Sequence, residues 1–180
     1  MSGHHTRLRW CHQQRCFSTK LSAEIKSWLF DTGSLTARLI EHCDQPFSVK
    51  VLSVVRATPT PDEVKALGLS TRSQAIIRQV LLYCGEQPVV YARTIIPVSS
   101  LRGSLRGIVL LGNKSLGAVL FADKSMRREA MEITSLKASH KCHSWTCYQG
   151  VDSIWGRRSV FKIKNKKLLV SEFFLPDLFK

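Results

Sequence analysis

The chain has 180 residues, 44% hydrophobic and 22% charged, enough for one domain with a proper core and too few for two ordinary ones. No window approaches the roughly 20 apolar residues a membrane-spanning helix needs, so stable membrane insertion is not expected. Lys and Arg number 27 against 13 Asp and Glu, a formal charge of +14 that attracts anions of any kind.

Those charges are scattered over the tail, the loops and the last third, and form no single block. Lys162 and Lys164 alternate with Phe161 and Ile163, as on the wet face of a half-buried strand. With no recognised motif or aromatic stacking series beside them, a nucleic-acid partner is not expected.

Residues 1–20 are basic, acid-free and lack the apolar h-region of a secretory signal. A disordered extension is the plainer reading, a transit peptide the other. A single domain is expected over 21–180. Leu21, Ile25, Trp28 and Leu29 form one helical stripe capped by Ser22 and stopped at Asp31-Thr-Gly33. Ser34 caps a second short helix from Leu35 to Glu41, whose first free amide is that of Leu35. Alternation from Phe47 to Arg56 predicts a strand, with Leu52 and Val54 suggesting that both its faces are covered.

Thr58-Pro-Thr-Pro61 breaks the chain, and a short helix over 62–67 ends at Gly68. Ala75 to Tyr83 and Val89 to Ile96 are rich in β-branched and aromatic residues, and five residues containing Gly85 and Pro88 join them. That pattern predicts an antiparallel hairpin. The apolar stretch from Leu105 to Leu111 predicts a helical segment, and Ser115 caps another, leaving the amides of Leu116 and Gly117 free. Residues 134–154 are polar without a clear period and read as a loop insertion. A strand from Trp155 to Ile163, a turn at Asn165-Lys166 and a strand from Lys167 to Leu175 close the chain.

The six cysteines come without a signal peptide, so reduced thiols in a cytoplasmic protein are expected. His140, Cys142, His143 and Cys147 are close in sequence, as are Cys11 and Cys16, but neither group has a standard zinc spacing. A polar surface insertion without metal is the expectation for the first group.

Two residues break the pattern. Arg78 shares its strand face with Ile76, Val80 and Leu82, and Glu172 shares its face with Leu168, Val170 and Phe174. A guanidinium among aliphatic side chains requires an anion. Either the two residues pair with each other, or they line a pocket in which Arg78 binds a ligand's carboxylate and Glu172 handles a proton. The free helix amides at Leu35 and Leu116 add carboxylate-binding capacity to the second reading.

Ser27 to Leu39, Arg78 to Leu82, Ala92 to Ser99, Ser115 to Gly117, Trp155 to Ser159 and Ser171 to Pro176 occur in the order found in bacterial chorismate pyruvate-lyases. The chain resembles that family from about Leu21 to Leu178. The resemblance implies an α+β fold, an antiparallel sheet with helices on one side and two helical flaps over an internal ligand cavity. It implies conversion of chorismate to 4-hydroxybenzoate and pyruvate, the first committed step towards ubiquinone, without metal or organic cofactor. Carried over by position, Arg78 and the amides of Leu35 and Leu116 hold the ring carboxylate, and Glu172 faces the ring's other end. Arg93 is a further candidate for lining the cavity. A cytoplasmic enzyme working as a monomer on a small molecule is expected.

The alternative is a non-catalytic ligand-binding domain like the effector domains of GntR-type regulators. Those proteins carry an N-terminal winged helix, for which twenty residues before the first helix are too few.

Overall fold

The computed structural model describes residues 8–12, 21–101, 106–109 and 111–180. Eight strands form one sheet: β1 Cys11–His12, β2 Phe47–Ala57, β3 Ala75–Cys84, β4 Gln87–Pro97, β5 Arg127–Arg128, β6 Glu132–Lys137, β7 Ser153–Ile163 and β8 Lys166–Phe174. Their order is β1-β6-β7-β8-β4-β3-β2, with β5 also on β7, and every pairing is antiparallel. Among the described residues five short α-helices accompany them: α1 Ala23–Leu29, α2 Leu35–His42, α3 Pro61–Leu67, α4 Arg106–Val109 and α5 Leu116–Ala122. The fold is α+β.

Local chemistry sets the helix starts. The hydroxyls of Ser22, Ser34 and Ser115 accept from the amides of Ile25, Ala37 and Ala118 and so cap α1, α2 and α5. In α3, Glu63 closes a capping box by accepting from the Thr60 amide. The β3–β4 hairpin turns more tightly than expected. Only Gly85 and Glu86 lie outside the strands, Gly85 at φ 58°, and Pro88 already pairs with Tyr83 inside β4.

On the front of the sheet, Trp28, Leu29, Leu35 and Leu39 of α1 and α2 pack on Val80, Leu82, Ala92 and Phe174. Leu116 and Leu120 of α5, with Ile108 of α4, pack on Ile96, Leu168, Val170 and Phe161. On the back, Leu67 at the end of α3 packs on Ile77, Ile95, Val160 and Leu169.

Several expectations are corrected. Residues 134–154 are not one long loop. They begin within β6, which pairs with β7 from Glu132↔Arg158 to Lys137↔Ser153, and continue through a 3-10 helix, Lys141–Thr146, that buries Cys142, His143 and Thr146. Residues 8–12 are not a loose tail: β1 pairs with β6, and Trp10 lies against Phe173 with its indole N–H donating to Asp62. The rest of the predicted extension, 1–7 and 13–20, lies outside the described residues, as do 105 and 110 of the predicted helical segment. The front and back of β2 are not both covered, because β2 is the sheet edge and leaves Val54 and Val55 exposed.

The cysteines are not all thiols. Cys43 is bonded to Cys84, Cα atoms 5.4 Å apart. Cys43 ends α2 four residues before β2, and the pairing of Phe47 with Cys84 brings the end of β3 beside it. The bond therefore ties α2 to the sheet it covers.

Candidate active site

The registers place one pocket's side chains in two adjacent rows across the sheet front. Arg78, Thr94, Val170 and Ser159 lie side by side on β3, β4, β8 and β7, and Val80, Ala92, Glu172 and Arg157 form the next row. Arg78 and Glu172 are thus two strands and two residues apart, roughly 12 Å between Cα atoms. They face one cavity, roofed by the starts of α2 and α5: Leu35, Thr36, Ser115, Leu116 and Gly117 all line it.

The two helix starts touch. Thr36 Oγ1 and Ser115 Oγ are 2.5 Å apart, and a Cβ on Gly117 would come within 2.8 Å of Thr36 Oγ1. Only glycine permits this approach, which brings the starts of both helices together over the cavity. Gly117→Ala is therefore expected to spread the roof at a cost of roughly 1–3 kcal/mol, the usual cost of overpacking. Denaturant titration should show the loss.

Arg78 is 3% exposed and meets no carboxylate among the described residues. One terminal nitrogen donates to the carbonyls of Gly112 (2.9 Å) and Lys114 (3.1 Å), in the turn before α5. Burial pushes its guanidinium down, so the site favours an anion that would compensate it.

The direct pairing of Arg78 with Glu172 is overturned. Glu172 Oε2 accepts from Arg157 Nε at 2.6 Å, and its other oxygen carries no hydrogen bond among the described residues. Arg157, 1% exposed, also donates to the carbonyls of Trp28 and Asp31 at 2.8 and 2.6 Å, fixing the link between α1 and α2 against the sheet. The pairing and burial of Arg157 position Glu172.

Arg93 does not line this cavity. It pairs with Gln79, and strand alternation turns it to the back, where it bonds Glu63 at 2.7 and 3.2 Å with Trp145 stacked over it at 4.4 Å. Truncating one member of such a buried pair strands the other charge. Arg93→Ala should accordingly cost about 3–5 kcal/mol of stability by denaturant titration.

A wider hollow on the back is lined by Trp10, Asp62, Glu132 and Arg158 among others, and there Arg158 bonds both Asp62 and Glu132. Beside it, burial pushes the Cys142 thiol up to about 11, which disfavours the thiolate a metal needs. Among the described residues no three His, Cys, Asp or Glu side chains converge as metal ligands.

Sequence reasoning did not assign a role to Arg157 or Arg128, which both line the front cavity. The paired arginines of Trp155-Gly-Arg-Arg-Ser159 were the available signal for the first.

The sequence model of the family described as "Chorismate lyase" matches residues 6–180. The chain belongs to the chorismate lyase family. It is 37% identical over 163 residues to a protein of Nitrosospira multiformis named "probable chorismate pyruvate-lyase", covering 89% of this chain and 91% of that one. A Methylococcus capsulatus protein of the same name is 39% identical over 153 residues, 84% of this chain and 94% of the other. Membership makes this chain an enzyme, a lyase. Among solved structures, a GntR-family transcriptional regulator from Bacillus cereus superposes with a TM-score of 0.55 at 12% identity, over 74% of this chain and 94% of that one. The C-terminal domain of the histidine utilization repressor from Pseudomonas syringae gives 0.54 at 8%, over 75% and 95%. At such identity these likenesses establish a shared fold alone.

Proposed function

We propose that this lyase converts chorismate to 4-hydroxybenzoate and pyruvate within the front cavity, and so carries out the first committed step towards ubiquinone. The observation that carries the reading is one cavity with an uncompensated buried guanidinium and two helix starts at one end and an arginine-held carboxylate across from them. Arg78 and the amides of Leu35 and Leu116 receive the ring carboxylate, and Glu172 meets the opposite end of the ring, where the hydroxyl sits.

The reaction is an elimination. A proton leaves the ring carbon bearing the hydroxyl, and its electron pair becomes the third ring double bond. The pair of the breaking C–O bond leaves with enolpyruvate, which takes up a proton to become pyruvate. Aromatisation drives these steps, so the reading needs neither metal nor organic cofactor. A positioned carboxyl group supplies or accepts the proton, and the unbonded oxygen of Glu172 is the group in place.

The reading takes a monomer as the working unit. The reading places it in the cytoplasm, acting on a free metabolite with no nucleic-acid partner; no helix among the described residues is long and apolar enough to cross a membrane. A non-catalytic ligand-binding role is disfavoured by the match of the lyase family over nearly the whole chain. Incubating purified protein with chorismate and following 4-hydroxybenzoate by absorbance tests the proposal. Product formed in proportion to enzyme is the expected result, and unchanged chorismate would overturn it.

A further inference from the structure

The charges around the front cavity do not balance without a ligand. Its lining holds three guanidinium groups, Arg78, Arg128 and Arg157, and one carboxylate, Glu172. Arg157 and Glu172 are matched to each other. Among the described residues Arg78 bonds only carbonyl oxygens.

Among the described lining residues Arg128 is the remaining cation. It lies on β5 opposite Phe161, which turns its side chain to the front face. Its Nε donates to Ser159 Oγ at 3.0 Å and one terminal nitrogen to the Thr32 carbonyl at 3.3 Å, while its guanidinium carbon lies 5.2 Å from the centre of the Phe161 ring. These contacts aim it without neutralising it. The carboxylates that act on it, Asp31 and Glu172, are already bonded to Arg38 and Arg157. Burial and the nearby Arg157 cation push Arg128 down, a strain that a further anion would relieve.

Ser159 ends the same row that begins with Arg78. The two unmatched cations therefore bracket the cavity, with three strand spacings, about 14 Å, between Arg78 and Ser159. Chorismate carries two carboxylates, one on the ring and one on the enolpyruvyl group. Two unmatched guanidinium groups at separate ends suit a dianion with separated carboxylates, and suit the monoanionic aromatic product only in part.

We infer that Arg128 binds the carboxylate of the departing enolpyruvyl group, while Arg78 binds that of the ring. The inference rests on the chorismate reading above. It makes Arg128 a substrate-recognising residue whose contact is lost once pyruvate has gone.

The test compares wild type, Arg128→Gln and Arg128→Lys in two measurements: kcat/KM for chorismate and the dissociation constant of 4-hydroxybenzoate. Cutting a charge-paired contact to substrate predicts a fall of about 30-fold or more in kcat/KM for Arg128→Gln. Affinity for 4-hydroxybenzoate should stay within about twofold of wild type, since the product has no second carboxylate. Arg128→Lys should keep part of the chorismate activity, because it retains the charge and loses the fork; it also serves if the glutamine variant does not fold. Equal losses for chorismate and product would make Arg128 a structural residue and overturn the inference, as would unchanged kcat/KM. If wild type itself leaves chorismate untouched, the functional reading fails first; if wild type is active and Arg128→Gln equally so, only the role of Arg128 fails.

Discussion

Glu172→Gln is expected to fold and yet to turn over chorismate roughly 10²- to 10⁴-fold more slowly, the usual worth of a positioned acid or base. The amide is nearly isosteric and its oxygen can still accept from Arg157 Nε, so the α1–α2 link that Arg157 holds through Trp28 and Asp31 is retained. The substitution removes the ionisable oxygen to which the proposal assigns the proton chemistry. It also leaves the Arg157 cation without its counter-charge, so some loss of stability accompanies the change. Circular dichroism and 4-hydroxybenzoate binding separate the two effects: a folded variant that binds product through Arg78 but does not form it assigns proton chemistry to Glu172. Near-normal turnover in that variant would remove Glu172 from the mechanism.

Arg78 and Glu172 were legible from the sequence because each is a charge in an otherwise apolar strand with a clear period of two, where a misplaced ion is conspicuous. What each one faced was not legible. Two arginines, Arg157 and Arg158 on the adjacent strand, were available to Glu172, and only the β7–β8 register decides that Arg157 turns to the front and Arg158 to the back. Arg128 sits on a two-residue strand, too short to show any period. The misplacement of Arg93 was avoidable: once Arg78 faces the cavity, its hairpin partner Thr94 does too, and the adjacent Arg93 must face away.

The other misses have a common physical origin. β6 buries Ile133, Thr134 and Leu136 on both faces and includes Glu132 and Lys137, so its side chains show neither alternation nor a continuous apolar run. Trp10 belongs to the fold only through contacts with Phe173, Asp62 and Arg158, which are 52 or more residues away. The Cys43–Cys84 bond depends on a strand pairing, and cysteine spacing alone does not reveal it. Caps, by contrast, are local, and Ser22, Ser34 and Ser115 were readable without any tertiary information.

For Arg78 the structure sharpens the expected result. Since it pairs with carbonyls and not with Glu172, Arg78→Ala removes the guanidinium that the proposal assigns to the ring carboxylate while leaving the Arg157–Glu172 pair intact. Losing one member of a buried charge pair costs about 2–5 kcal/mol of binding, which is roughly 30-fold to several-thousand-fold in the dissociation constant of 4-hydroxybenzoate. The alanine also releases the carbonyls of Gly112 and Lys114, so the turn leading into α5 loses its anchor and KM for chorismate should rise together with the product constant. Arg78→Lys discriminates between these contributions. An ammonium can meet a carbonyl or a carboxylate oxygen, but it cannot hold two carbonyls on one nitrogen and present the rest of a planar fork to a ligand. Intermediate affinity is therefore expected for lysine, accompanied in wild type by protection against heat that grows with product occupancy. Equal dissociation constants for wild type, Arg78→Lys and Arg78→Ala would show that the buried guanidinium serves only to hold the turn before α5, and the carboxylate would then have to be received by the helix amides alone.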